Sequence, residues 1–445
     1  MQGGKNMSIN KKISFNRTIP IRHDVDIFVA GGGPAGVAAA VCAARCGCSV
    51  FLAEGQGCLG GMGTSGLIPA FMQFSDGINF LAAGIGEEIL SKLRNAGGTG
   101  PNNMFSIRAE VLKKVYDDLL LDSGVEFTFM TQLIGVEKEE DRVSLAILSA
   151  KSGIYAIKAK IFIDCTGDGD LSVLSGGLFE KGDIEGNMMP GTLCSLWSGI
   201  NWNKVKKHGD EIALEKAFKD KVFTNEDRHL PGMWCVGEQV GGGNIGHAYG
   251  VDGTDEVSLT KAFIDERKRI SEYENYYKKY LSGFDNMELV STGALMGIRE
   301  SRRIMGEYVL NVEDFKKRAV FEDEIGRYCY PIDIHASKPD LASYKKFDED
   351  FRKSFRYNVG ESYGIPYGSL VPKGLANVLV AGRCISSDRY IQGSIRVMPG
   401  CYITGQAVGI AASIAVIDNC NTRDVNISKL QEKLVSVGAY LPNYK

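Results

Sequence analysis

The chain has 445 residues, 51 Lys and Arg against 54 Asp and Glu, a net charge of −3 and 54 glycines. That length holds two domains, or one large domain with insertions, around a substantial core. The charge balance gives no electrostatic ground for nucleic acid or an anionic membrane as partner. Eleven cysteines without framework spacing suit reduced thiols in a reducing compartment. Residues 1–23 carry no apolar leader segment, and the apolar stretch 407–417 is too short to span a bilayer. A cytoplasmic location is the expectation.

Residues 25–30 form an apolar run that predicts a buried parallel strand. Gly31, Gly33 and Gly36 follow in G-x-G-x-x-G spacing, with Pro34 where a first helical position tolerates a missing N–H, and Ala35 beside it. Residues 37–45 read as an Ala-rich helix, and 49–53 as a second strand ending on Glu54. Gly31 permits the tight turn, Gly33 lets backbone approach a pyrophosphate, and Gly36 lets helix and strand pack closely. The helix N-terminus offers unpaired N–H groups to phosphates, and Glu54 can accept from ribose hydroxyls. A nucleotide-binding βαβ unit is predicted.

Residues 55–66, with Gly60, Gly61 and Thr64, are too glycine-rich for regular structure and form a sharply turning loop. Helices are expected at 85–93 and 109–121, and short strands at 125–129, 132–138, 143–149 and 154–157. A buried strand at 159–163 runs into Thr166-Gly167-Asp168-Gly169-Asp170, a flexible turn of the kind that binds ligands in α/β sheets; helix capping by Asp168 and Asp170 is the structural alternative.

Residues 191–364 differ in texture, with all three tryptophans, and a long helix at 259–280 reads as largely solvated. Gly241-Gly242-Gly243-Asn244 reads as a loop. The cluster Arg299-Glu300-Ser301-Arg302-Arg303 is either a solvated helix end or a functional group of charges. Residues 377–380 form another buried strand ending at Gly382 and Arg383. Residues 386–399 are polar and aperiodic, 400–416 make a small-residue helix that packs against other backbone, and a last helix spans 427–435.

The Gly31–Gly36 loop with Glu54, the Gly60-Gly61 loop, the strand end at 164–170, and Val380-Ala381-Gly382-Arg383 through residues 393–399 to Gly405-Gln406-Ala407 together resemble bacterial FAD-dependent oxidoreductases. These are similar to glutathione-reductase-like flavoproteins and, more distantly, to fumarate reductase flavoproteins. The resemblance implies an α/β fold, a Rossmann-like FAD-binding domain of three-layer ββα type with an inserted α+β substrate or cap domain. The FAD domain would be residues 20–190 and 365–420, the cap 191–364, and 421–445 a C-terminal helix and tail. It further implies non-covalent, extended FAD. Gly31, Gly33, Pro34, Ala35 and Gly36 would hold the pyrophosphate and Glu54 the ribose. Gly60, Gly61 and Thr64 would lie along the flavin side, and Thr166, Gly167 and Asp168 would close over the cofactor. Gly382, Arg383, Gly393, Ser394 and Arg396 would hold the ribityl chain and pyrimidine end, where positive charge stabilises reduced flavin.

Disulfide reductases of this kind carry C-x-x-x-x-C after the ribose acid, whereas Cys58 here is followed by Gly63 at that offset. No second strand–GxGxxG–helix unit for NAD(P)H is found, so electrons are expected from the substrate, a protein carrier or dioxygen. No metal site is expected, and homo-oligomerisation is left open. For the proton, the candidates are His247 and His335, with Arg299 to clamp a carboxylate; each histidine could instead be a satisfied structural residue. The expected activity is hydride transfer between flavin N5 and a small polar, hydroxy- or amino-bearing or sugar-like substrate. The alternatives are a fumarate-reductase-like enoate reductase, and a flavin-binding or RNA-modification protein without small-molecule turnover.

Overall fold

The computed structural model describes residues 12–101, 104–206, 211–228, 232–349 and 354–444; residues 1–11 of the N-terminal stretch and residue 445 of the tail lie outside these. The chain opens with β1 (Ile21–Ala30), α1 (Pro34–Arg45) and β2 (Val50–Ala53), the two strands parallel and in register from Ile27 opposite Val50 to Ala30 opposite Ala53. Side chains alternate across β1. Ile27 and Val29 face the helical layer, while Phe28 and Ala30 face a second, strand-built layer. Both faces are covered, so the run is continuously apolar.

After α2 (Ile85–Asn95) and α3 (Ala109–Asp122), β3 (Glu126–Thr128) joins β2 in parallel. β4 (Gln132–Glu139), β5 (Arg142–Ala150) and β6 (Gly153–Asp164) then form an antiparallel meander. The strands read separately at 154–157 and 159–163 are one strand of 12 residues. Its first half pairs with β5 and its second half is free to take a parallel partner, so exposed Lys158 and Lys160 punctuate one strand rather than divide two.

α4 (Asp170–Leu174) and β7 (Phe179–Lys181) lead to β8 (Ser195–Ser198), α5 (Glu211–Lys219), β9 (Gly232–Cys235), β10 (Gly241–Asn244), α6 (Glu256–Tyr280) and β11 (Glu288–Thr292). Four of these strands make an antiparallel sheet in the order β11-β8-β10-β9. It packs on α5 and α6 through Trp197, Ile245, Tyr273 and Tyr277. The expected loop at 241–244 is therefore a strand. A Cβ on Gly242 would stand 2.3 Å from Pro69 Cβ, so the bare strand lets another segment lie flat on the sheet. Nor is α6 simply solvated: Glu266, Ile270, Tyr273 and Tyr277 are buried along one face.

β12 (Arg302–Ile304) pairs with β7. α7 (Val312–Lys317), β13 (Glu324–Tyr328), α8 (Leu341–Phe347) and β14 (Tyr363–Pro366) follow, with β13 and β14 paired. β15 (Val378–Val380) then adds to the second half of β6 in parallel, completing a seven-stranded sheet. The stretch expected to be aperiodic contains α9 (Arg389–Ile395), started by Asp388, whose side chain accepts from the Ile391 N–H at 2.8 Å. α10 (Met398–Asp418) and α11 (Ile427–Ser436) end the fold.

At 21 residues α10 is longer than the apolar stretch read at 407–417, and by length and composition could cross a membrane, but 83% of its most apolar window is buried inside the protein. It lies against α1. A Cβ on Gly405 would sit 2.3 Å from the Ala35 carbonyl oxygen, and one on Gly409 2.3 Å from that of Ala39. Helix backbone touches helix backbone, as the small-residue pattern predicts.

Candidate cofactor and active site

The first glycine loop is fixed by contacts its residues could not make with side chains. Gly31 has φ +91, and a Cβ there would lie 2.6 Å from the Cys165 carbonyl oxygen. A Cβ on Gly36 would lie 1.9 Å from the Gly31 oxygen. Gly33 is the opposite case: a Cβ there meets nothing within 4 Å. Gly33 is also the N-cap of α1, which has no side-chain cap, no acid in its first turn, and Pro at its start with Ala35 behind it. An uncapped helix N-terminus above open space is an anion cradle, and a pyrophosphate fits it.

Glu54 is buried at the end of β2. Its Oε2 accepts from the Gly32 N–H at 2.7 Å and its Oε1 from the Gln56 N–H at 2.7 Å. Burial raises its pKa, against those hydrogen bonds. The Gly60-Gly61 loop is laid over the first: the Gly60 N–H donates to the Gly32 oxygen at 2.8 Å, and Gly61 faces Gly33. Thr64 is buried with its hydroxyl on the Leu59 oxygen at 2.5 Å, so it ties that loop together from within.

The turn after β6 is held from its own strand. Asp164 Oδ1 accepts from the Thr166 hydroxyl at 2.8 Å, and Oδ2 from the Ser172 N–H at 2.8 Å. Gly167 takes φ +81 against the Arg383 guanidinium, which stands 2.8 Å from Asp168 Oδ1. Arg383 also donates to Ser301 at 2.9 Å, and the Gly382 N–H donates to Thr404 at 3.1 Å. The turns after β6 and β15 are thus pinned together beside the N-terminus of α10. That helix has neither side-chain cap nor first-turn acid, a second place for an acceptor to bind.

The charge cluster is not a solvated helix end. Glu300 is fully buried, bonded to Arg303 at 3.0 Å, to Arg389 at 3.1 Å and to the Met189 N–H at 2.8 Å. Arg302 reaches Asp170 at 2.7 Å. Asp170 therefore serves an ion pair rather than the N-cap, which is Gly169. Arg299 donates to the Pro190 oxygen at 2.8 Å and the Thr192 hydroxyl at 2.9 Å, and burial with Arg396 nearby lowers its pKa to about 10.

His247, in the loop after β10, and His335, in the irregular segment after β13, meet. His247 Nε2 is 2.8 Å from His335 Nδ1. His247 Nδ1 is 2.9 Å from Asp227 Oδ2, and His335 Nε2 is 3.2 Å from Asp333 Oδ2. Asp333 is also bonded to Arg396 at 3.0 Å. The result is a five-membered chain, Asp227–His247–His335–Asp333–Arg396. Burial lowers the pKa of His247 despite the opposing Asp227. Although burial opposes it, His335, Arg396 and Arg299 hold the Asp333 carboxyl far below the usual range. Gly393 packs its α-carbon against the Asp333 backbone, and Ser394 bonds the Tyr363 hydroxyl at 2.9 Å and the Tyr330 oxygen at 2.5 Å.

Asp333 lines a cavity of about 370 Å³, with Phe71, Gln73, Trp234, Tyr330 and Arg356 among its walls. A second cavity, about 680 Å³, lies by Leu67, Ile68, Arg108, Val236 and Gly242. Asp227 and Asp333 are the site residues that sequence reading missed. Asp333 stood two residues from a candidate histidine, but nothing in the sequence tied Asp227 to either ring.

An anion cradle after β1, two uncapped helix N-termini, glycine turns at strand ends, and a sheet whose β3, β2, β1, β6 and β15 run parallel define a dinucleotide-binding α/β fold. The chain belongs to the FAD dependent oxidoreductase family, whose model matches residues 26–434. Its cofactor is FAD and it is a flavoenzyme. No curated protein matches the sequence. Similar solved structures include a geranylgeranyl bacteriochlorophyll reductase-like protein from Thermoplasma acidophilum, at 12% identity and TM-score 0.43 over 93% of this chain and 83% of that one. The p-nitrophenol 4-monooxygenase from Pseudomonas putida is similar at 11% identity and TM-score 0.46, over 94% and 85%. A flavin-dependent brominase is similar at 12% and TM-score 0.45, over 88% and 80%.

Proposed function

We propose that this flavoenzyme moves hydride between FAD and a small polar organic substrate, hydroxy- or amino-bearing, held in the cavity beside Asp333. One observation carries the reading: a continuous chain of hydrogen-bonded titratable groups begins on that cavity's wall and runs inward through His335 and His247. Bound FAD supplies a two-electron donor and acceptor. Gly31, Gly33, Pro34, Ala35 and Gly36 would hold its pyrophosphate, and Glu54 its ribose. Gly60 and Gly61 would flank it, with Thr64 keeping their loop in shape. Thr166, Gly167 and Asp168, with Gly382, Arg383, Gly393, Ser394 and Arg396, would close the flavin end.

The protein's own part is the proton. Gln73, Asp333 and Arg356 offer polar contacts among the aromatic walls of the cavity, which suits a compact polar ligand. Asp333 is where such a ligand would meet the chain, and His335 stands directly behind it. The electron partner in this reading is the substrate on one side and a protein carrier or dioxygen on the other. A second reading, enoate reduction with Arg299 as proton donor, draws on that residue's lowered pKa.

Anaerobic mixing of the yellow enzyme with hydroxy acids, amino acids and sugars tests the proposal. One class should bleach the flavin. His335→Ala should keep its FAD and lose about 100-fold in that rate, the usual contribution of a positioned proton carrier. An unchanged rate would remove the chain from the mechanism. Reoxidation of the dithionite-reduced enzyme by an enoate alone would favour Arg299.

A further inference from the structure

The chain Asp227–His247–His335–Asp333 has three gaps, at 2.9, 2.8 and 3.2 Å, and each needs one hydrogen to be a bond. Two neutral imidazoles carry two ring hydrogens between them. A neutral pair between two ionised carboxylates would leave one gap with lone pair facing lone pair inside the protein, where His247 and His335 are 2% and 5% exposed. A third hydrogen fills every gap. With it, the four groups carry a net charge of −1, which the Arg396 contact at Asp333 neutralises.

We propose that His247 and His335 share this extra proton as a monocation clamped between Asp227 and Asp333, and that it is the proton the redox site gives up and takes back. The inference rests on the reading above only for the use made of the proton. Its seat is His335, between the neutral neighbour ring and Asp333. His247 keeps a hydrogen on Nδ1 for Asp227 and accepts from His335 at Nε2. The direction of the His247 shift and the hold on Asp333 both agree with that placement. Asp227 is not among the residues that line the Asp333 cavity and acts through His247, so it is a positioning residue.

Among the described residues, the charged and titratable groups facing the pair include Asp227, Asp333, Arg299 and Arg396, with Arg269 donating to the His247 carbonyl at 3.2 Å, Tyr249 packed on its ring and bonded to Asp227, and Glu272 and Tyr273 beside Asp227 and His247. Both aspartates favour the proton. Arg299 opposes it at His247. The sign of the pH effect follows. Oxidising a substrate sends a proton into the chain, so it needs an empty pair and should quicken as pH rises. Reducing a substrate draws the proton out, so it should slow over the same range.

The test uses FAD-loaded protein with 15N in its five histidines. At about pH 7.5, a unit above the ordinary histidine value of about 6.5, one ring should show both nitrogens protonated, and His335→Gln should abolish that signal. A second ring should be the neutral Nδ1–H form. Asp227→Asn should lose the charged signal at the same pH and move the pH profile of flavin reduction to lower pH, with FAD content retained. Two neutral rings in the unaltered enzyme would overturn the proposal, and so would a charged signal that Asp227→Asn leaves in place. Both results are independent of the donor panel, so the pair can fail while the substrate reading stands.

Discussion

Gly33 and Gly36 stand three residues apart and do opposite work. A methyl at Gly36 would sit 1.9 Å from the Gly31 oxygen, inside the backbone of the loop itself, whereas one at Gly33 would enter space that no protein atom fills. Gly33 has φ −66, which alanine adopts freely. Gly33→Ala should therefore leave the melting temperature of the apoprotein within the effect of an ordinary surface change, about 0.5 kcal/mol, yet weaken FAD at least about tenfold, which is about 1.4 kcal/mol of binding. Gly36→Ala should lower the apoprotein's own stability. Thermal melts of both variants with and without FAD, together with flavin content after purification, separate the two roles. Equal melting temperatures for the two apo variants would refute the distinction.

The pairing of α10 with α1 makes the sharpest prediction for whole elements. Gly405 and Gly409 each put a would-be Cβ within 2.3 Å of an α1 carbonyl oxygen, so larger side chains must push the helices apart. Gly405→Val should cost about 3 kcal/mol by overpacking, read as a lower urea midpoint. Because α1 starts at the phosphate cradle, FAD should loosen as well. This contact was legible in the sequence, since a helix small on most of its faces has nothing but backbone to offer. So were β1, α1 and β2, where periodicity, glycine spacing and terminal acid all agree. Legibility failed where a partner far along the chain decided the outcome. Residues 241–244 become a strand because Ser195–Ser198 and Gly232–Cys235 flank them. Arg302 is half-buried against Asp170, and Arg303 is buried because Glu180 and Glu300 receive it. Each histidine was visible as a candidate, but the contact between them spans 88 positions, and single residues carry no sign of such pairing.

At the scale of the molecule, FAD is part of the fold's stability. In the proposed site its cradle would be lined by segments from 31–36, 60–64, 166–168 and 382–396, and ligand that binds only the folded state stabilises it by mass action. Free FAD at 100 times its dissociation constant should add about 2.7 kcal/mol, so stripping the cofactor should lower the melting temperature, and titrating it back should raise the temperature logarithmically with concentration. A melt indifferent to added flavin would mean that these four segments do not meet around it.

β6 adds a constraint in time. Its last three residues, Phe162–Asp164, are completed by Val378–Val380, and α1 is completed by α10, so the two sides of the proposed cradle are made at opposite ends of synthesis. A nascent polypeptide displays the first glycine turn to its surroundings long before the strand and helix that shut it have left the ribosome. On the proposed reading flavin capture waits for the last part of the chain, and a message truncated ahead of Val378 lacks both the strand that completes β6 and the helix that packs on α1.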